Sequence, residues 1–458
     1  MRLAWFSPFP PVRTGIAGRS AELVEALAAR GHTVDRYPES AAHDFVWKRR
    51  LAAYDLAVYQ FGNSSHHDYE WAYALNVPGL VVLHDTHLHH ARAAFLLRER
   101  RAADYRAEFR WNHPDVPADA AELAIAGFDS RLYYEWPMVR SLVTASRLTA
   151  VHGEGARAEL LGALDLPADA VTAIRLGEGE PLTPERARSA RAAVRARYGL
   201  ADDAVVFGCF GGLTPEKRLP QILAAFRATL PHAPGVRLLL AGAAAAHYDV
   251  AAGIAAHGLA DRVTLTGYLD ADADLTDHLA ACDVTLNLRW PTARETSGPW
   301  LRALAAARPT IITDLVHMGD VPSLDPRSWT VRESGVGGRE SGVGSREPGV
   351  LGRESDPIPD PRSPITVAID ILDEDHSLRL AMRRLATDAA LRDTLGRAAQ
   401  AWWTAGHSLA AMTDDYERVM TDAAARPAPR VDLPAHMRNA GDRKLKTLMA
   451  PLGVEVRL

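Results

Sequence analysis

The sequence predicts an α/β protein built from two doubly wound parallel-sheet domains, on three observations. Short apolar runs of strand length alternate with longer stretches of helical period, the pattern of strand-helix-strand crossovers. The alternation is interrupted once, at Gly177-Glu178-Gly179-Glu180-Pro181-Leu182-Thr183-Pro184, and then begins again. At 458 residues the chain is also too long for one ordinary core.

Residues 2–7 read as the first strand. The loop Pro10-Pro11-Val12-Arg13-Thr14-Gly15-Ile16-Ala17-Gly18 leads into a helix through Leu23, Val24 and Leu27, which Gly31 ends, and 33–37 is the next strand. Gly15 and Gly18 leave room for a backbone to approach a ligand. Their spacing is not the dinucleotide G-x-G-x-x-G, and a proline-stiffened connection without a ligand explains them equally. Further strands over 56–61, 79–84, 148–152 and 171–176 complete a first domain at 1–178.

The second domain, 179–331, repeats the plan. Strands are expected over 204–210, 236–241, 263–266, 284–288 and 310–313, with helices at 219–230, near 248–257, near 273–281 and at 298–307. Residues 332–355 then repeat an Arg-Glu-Ser-Gly-Val-Gly unit whose apolar surface is too small to offset its ordering entropy, so 332–362 is expected to be a disordered low-complexity insertion. Helical segments near 366–385, 388–405 and 409–424 make 363–426 a helical region that completes the second domain and packs back towards the first. Residues 427–458, with Lys444 and Lys446, are expected to form a flexible tail.

Composition excludes several classes of function. A net charge of −5, with arginines scattered among acids, offers no basic field for nucleic acid. Cys209 and Cys282 each sit in an apolar run, which reads as two buried thiols rather than a disulfide framework and suits a reducing compartment. The N-terminus passes straight into a strand, leaving no room for a signal peptide, and no apolar run reaches ~18 residues, so a soluble cytoplasmic protein is expected. Arg98, Arg100, Arg101, Arg106 and Arg110 read as a solvated helix face in preference to a surface for acidic lipid headgroups.

Polar clusters suited to chemistry fall after strands, where open α/β sheets bind ligands. Gly211-Gly212-Leu213-Thr214-Pro215-Glu216-Lys217-Arg218 puts a lysine and an arginine just ahead of a helix N-terminus, whose free N–H groups favour an anion. Lysine is rare here, occurring only at 48, 217, 444 and 446, which adds weight to a phosphate ligand over a solvated turn. His84 and Asp85 end another apolar run, and a histidine at a strand tip can orient or take a proton, or merely cap its loop. His87, His89 and His90 follow, but a strand-to-helix turn cannot aim all these groups at one metal ion, and no metal is expected. Glu295 precedes a helix opened by Ser297, Gly298 and Pro299. It can accept sugar hydroxyls beside a phosphate held by the amides, or simply complement the helix dipole.

With these motifs in this order, nearly the whole chain resembles the retaining GT-B glycosyltransferases of glycosyltransferase family 4. The resemblance implies two Rossmann-like domains facing across a cleft, the first on the acceptor side and the second binding the donor. It implies His84 and Glu295 as catalytic residues, with Gly15, Lys217, Arg218, Ser297 and Gly298 at the donor phosphates and Asp85, Gly212 and Arg289 as further contributors. Two positions depart from the family pattern: Gly212 stands where the family commonly has arginine, and the second of its paired glutamates falls near Arg302 and Ala303, neither an acid.

The implied reaction moves a sugar from a nucleotide-diphosphate donor to an acceptor hydroxyl with retention, without cofactor or metal. The acceptor, whether sugar, glycan or lipid-linked, is not specified by the resemblance. Two alternatives stay open: a GT-B-like nucleotide-sugar epimerase, which would consume donor without an acceptor, and a non-catalytic nucleotide-sugar-binding protein.

Overall fold

Six expected strands form one sheet and five form the core of another. The computed structural model describes residues 1–128, 131–246, 248–269, 272–332, 363–438 and 449–453. All of the low-complexity insertion except Arg332 lies outside the described residues, as do Lys444 and Lys446.

The strands are β1 (Arg2–Phe6), β2 (Thr33–Tyr37), β3 (Leu56–Phe61), β4 (Leu80–Leu83), β5 (Leu148–His152) and β6 (Val171–Ile174). They continue with β7 (Val206–Phe210), β8 (Arg237–Ala241), β9 (Val263–Gly267), β10 (Val284–Asn287), β11 (Thr310–Thr313), β12 (Ser323–Leu324) and β13 (Thr366–Ile369). The chain divides into two compact units. Unit 1 comprises Met1–Arg175, Ala293–Thr296 and Met412–Leu458; unit 2 comprises Leu176–Thr292 and Ser297–Ala411.

Unit 1 holds the sheet β2-β1-β3-β4-β5-β6, parallel throughout. The strand order turns between β1 and β3, so the loops after those strands border the crevice where doubly wound sheets take ligands. β3 and β4 are buried along their whole length, as near-continuous apolar runs in covered parallel strands should be. The long connection from β4 to β5 carries its own core of Ala93, Leu96, Tyr105, Phe109, Ala121 and Met138.

Unit 2 holds β12-β13-β11-β10-β7-β8-β9, again parallel, with its switch between β7 and β10. The Gly211–Arg218 turn and the loop carrying Arg289 therefore leave adjacent strands on either side of that switch. The helix Leu219–Thr229 packs Leu219, Ile222, Leu223 and Phe226 into the core that backs this turn.

Three elements differ from expectation. Residues 366–369 form β13, not the start of a helix, because the run Ile365 to Ile369 is apolar and β-rich enough to pair beside β11; the helix begins at Glu374. A helix over Pro184–Tyr198 follows the interdomain link, with Thr183 as its cap, Pro184 in its first turn and Gly199 at its end. Residues 427–438, expected to belong to a flexible tail, are packed against unit 1: Leu433 and Met437 are buried in its core, and Trp111 Nε1 donates to Asp432 O at 3.0 Å. Among the described residues no helix is long and apolar enough to cross a membrane.

Candidate functional site

The turn after β7 is shaped by glycine. Gly211 has φ +88°, a conformation L side chains rarely adopt, and a methyl group there would lie 2.9 Å from Lys217 Nζ and 3.7 Å from Pro299 Cγ. The lysine ammonium and the first turn of the helix Gly298–Ala305 thus meet beside one residue that has no side chain. A short 3₁₀ turn, Pro215–Lys217, folds the lysine back so that Nζ donates to Phe210 O at the end of β7. Trp290 N donates to Glu216 O at 2.8 Å, tying the lysine turn to the loop that carries Arg289.

Electrostatics agree with that geometry. Cys209 is fully buried one residue before the end of β7; burial pushes its thiol pKa up, and the positive charges of Lys217 and Arg289 both pull it down. Two cations therefore project their field onto the tip of β7. Ser297 adds the helix N-terminus: its Oγ accepts from Trp300 N, capping Gly298–Ala305. Gly212 is exposed with open space where a side chain would stand.

Arg218 turns elsewhere. It sits at φ +60° and gives both arms of its guanidinium to Glu374, Nε at 2.7 Å from Oε1 and the terminal nitrogen to Oε2. Its fork closes on the helix Glu374–Thr387 rather than standing ready for an anion. Arg302, near the position where the family carries its second glutamate, has Nε 2.5 Å from Glu178 Oε1, and that carboxyl lies against Gly298.

Unit 1 gathers the other predicted residues. His84 follows β4 and donates its N–H to Phe61 O at 2.8 Å. Its Nε2 lies 2.7 Å from Gln60 Oε1 and its Nδ1 3.1 Å from His152 Nε2, while Tyr416 OH donates to the same Gln60 oxygen at 3.2 Å. With the Gln60 amide oxygen facing the ring, His84 Nε2–H donates to Gln60 and His84 Nδ1 accepts from His152 Nε2–H. Burial holds the His84 pKa well below its ordinary value, with His152, His67 and Arg19 adding repulsion, so the ring is neutral and both nitrogens are engaged inside unit 1.

Asp85 Oδ2 accepts from Asn63 N at 2.6 Å. A methyl group on Gly62 would lie 2.5 Å from Ile16 Cδ1, 3.0 Å from His67 Nε2 and 3.3 Å from Asp85 Oδ2. Gly62 therefore lets the helix that Gly15 opens come down against the His84-Asp85 turn. Thr14 caps that helix by accepting from Ala17 N at 3.1 Å.

Glu295 is held through its neighbours. Arg294 Nε lies 2.7 Å from Glu159 Oε1, Thr296 Oγ1 donates to His152 O at 3.2 Å, and His87 N donates to Ala293 O at 3.1 Å. The residue whose ring meets His84 thus also anchors the loop of Glu295. Nothing in the sequence marks His152, Gln60, Gly62 or Tyr416, since each is ordinary until the fold sets it against His84 or Asp85. His89 is buried among Tyr105, Phe109, Tyr133 and Trp136, with Nε2 2.7 Å from Tyr105 OH, and His90 lies beside Tyr133. Among the described residues no group of three or more His, Cys, Asp or Glu side chains is placed to hold a metal ion.

Residues 204–325, the stretch that contains Lys217, Arg289, Glu295, Ser297 and Gly298, match the family model described as Glycosyl transferases group 1. No curated protein matches the chain. Solved structures do. Sucrose-phosphate synthase from Thermosynechococcus elongatus is 14% identical over 92% of this chain and 98% of its own, at a TM-score of 0.61. HepE from Anabaena, in complex with UDP and glucose, is 14% identical over 92% and 99%, at 0.56. The catalytic domain of starch synthase IV from Arabidopsis thaliana, bound to ADP and acarbose, is 12% identical over 93% and 99%, at 0.57. At such identities the likeness is one of fold: two Rossmann-like parallel-sheet α/β domains, as in the GT-B enzymes.

Proposed function

We propose that the protein is a retaining glycosyltransferase of family 4 type that moves a sugar from a nucleotide-diphosphate donor to an acceptor hydroxyl without a metal ion. The observation that carries this reading is the meeting of Lys217 Nζ and the N-terminus of Gly298–Ala305 at Gly211, inside the segment that matches the group 1 family model. HepE, of the same fold, is described in complex with UDP-glucose, which supports a sugar nucleotide as donor.

In this reading Lys217, Arg289 and the Gly298 N–H at the start of the capped helix stabilise the charge that grows on the leaving diphosphate, where preorganised donors act most strongly. Glu295 accepts hydroxyls of the donor sugar. The acceptor hydroxyl attacks from the face the diphosphate leaves, with a phosphate oxygen taking its proton. His84 acts as a neutral ring that shapes the wall beside the substrates by packing, since Gln60 and His152 hold both of its nitrogens. The cationic groups take the part a metal would otherwise play. We assign the reaction to the cytoplasm, where Cys209 and Cys282 stay reduced.

A thermal-shift panel of UDP-, GDP-, ADP- and dTDP-sugars tests the reading, since a ligand of the folded state raises the melting temperature by mass action. One nucleotide class should stabilise the protein, the shift should survive a chelator, and Lys217→Ala should remove it. The anomer formed with that donor, read by NMR, tests retention. A panel in which no sugar nucleotide moves the melting temperature would sink the proposal.

A further inference from the structure

The helix Asp44–Leu51 of unit 1 buries Phe45 and leaves five consecutive residues exposed: Trp47, Lys48, Arg49, Arg50 and Leu51. Trp47 is 52% exposed and Leu51 87%. Scattered apolar residues on a surface are unremarkable, but these two are one helical turn apart and share a face. Arg50 reaches over the Trp47 ring at 5.7 Å, Arg49 over Phe45 at 5.8 Å and Lys48 over Tyr37 at 5.6 Å.

Among the described residues none of these three cations pairs with a carboxylate, in a chain whose net charge is −5. The contrast lies in the same unit. Arg101 pairs with Asp104 at 2.7 Å, Arg106 pairs with Glu122 at 2.5 Å, and Arg98 lies within reach of Asp68 and Glu99. That face neutralises its own charge; at 47–51 Lys48 acts on Asp35 only from a distance, and among the described residues no carboxylate comes within ion-pair reach of the three cations.

We infer that the Trp47–Leu51 face is a docking site for an anionic lipid surface. An indole and a leucine flanked by bases match the boundary of a bilayer, where the apolar groups sink to the level of the acyl chains and the cations meet the headgroups. A polyanion such as nucleic acid would use the charges and leave Trp47 and Leu51 in water, which makes it the weaker fit. The site is independent of the donor site and does not rest on the proposed reaction.

Co-sedimentation of the full chain with vesicles tests the inference. At low salt the protein should pellet with phosphatidylcholine vesicles containing phosphatidylglycerol and stay in solution with phosphatidylcholine alone. Lys48→Glu/Arg49→Glu/Arg50→Glu should weaken partitioning on the order of a hundredfold. Trp47→Ser/Leu51→Ser should weaken it about tenfold while keeping its salt dependence. All five side chains are exposed, so unchanged circular dichroism is expected of both variants. Failure to pellet at low salt, or pelleting untouched by the charge reversal, overturns the site. So does full competition by a single-stranded oligonucleotide together with no effect of Trp47→Ser/Leu51→Ser, which would reassign the face to a polyanion.

Discussion

His152 Nε2 lies 3.1 Å from His84 Nδ1, one hydrogen shared between two rings. With His84 Nε2–H given to Gln60, that hydrogen belongs to His152; a cationic His84 would donate from Nδ1 as well and force His152 into its other tautomer. Burial, with repulsion from His152 behind it, keeps His84 neutral.

The first prediction concerns pH. Burial lowers the pKa of His67 to about 3, of His89 to about 3 and of His113 to about 4, and that of His84 falls well below its usual value. Each is neutral when folded and protonates once unfolded below the usual 6.5, so the unfolded state binds more protons and stability falls as pH drops. Glu70, pushed up by burial and 2.9 Å from His67, keeps its proton when folded and opposes the trend by one. Asp68, raised to about 6 by burial, opposes it by up to one more, and the net of about two protons, at about 1.4 kcal/mol each per pH unit, gives a slope of order 3 kcal/mol per unit between about pH 6 and 5. Urea midpoints measured from about pH 7 to 5 should fall steeply; a flat profile would exclude the neutral cluster.

Lys217 and Arg218 adjoin in sequence but should separate in experiment. Lys217→Ala is expected to cost about 2–4 kcal/mol of transition-state stabilisation in kcat/KM, the scale of one charged donor, with little change in melting temperature without ligand. Arg218→Ala leaves the Glu374 carboxylate without its partner and should cost about 2–3 kcal/mol of folding stability. Reversed outcomes would move the phosphate contact from the lysine to the arginine.

Two glycines of unit 2 should differ in tolerance. Gly242, at φ +151°, would place a methyl group 2.1 Å from Gly211 O, a collision with backbone, and Gly242→Ala should destabilise by about 3 kcal/mol or more. Gly211→Ala meets only the tip of Lys217, so a cost nearer 1–2 kcal/mol in stability is expected, together with a larger loss of donor affinity as the ammonium is displaced. Melting curves with and without the stabilising nucleotide separate the two effects.

The segment after the last long helix should matter to unit 1. Leu433 and Met437 are buried, and His436 Nε2 lies 2.8 Å from Glu108 Oε1, a carboxylate that Arg92 also grips. Leu433→Ala and Met437→Ala should each cost about 2–4 kcal/mol. Chemical denaturation showing no loss in either variant would mean that the segment does not pack as described.

Much of the sheet framework was legible in the sequence because buried parallel strands are written as short, nearly unbroken apolar runs, as in Leu80–Leu83 and Val206–Phe210. Glycine and proline punctuation located the turns. The sequence of β13 predicts helix because four residues carry too little periodicity to distinguish the two, and only its pairing with β11 decides it. The motif residues were visible because they follow strands; their partners were not. Glu374 stands 156 residues from Arg218, and no spacing rule connects them. The same holds for His152, which lies on a different strand from His84 and was unremarkable until both reached the end of the sheet.

Tyr416 reaches Gln60 across 356 positions of sequence, and Asn76 meets Met437 across 361. While the protein is being made, the first six strands leave the ribosome long before those partners exist. Gln60 must wait, with apolar surface around it uncovered, until translation has passed Tyr416. Nascent unit 1 is thus expected to lean on chaperones longer than its simple strand order suggests, and ribosome-bound chains stopped short of Tyr416 should be protease-sensitive around Gln60.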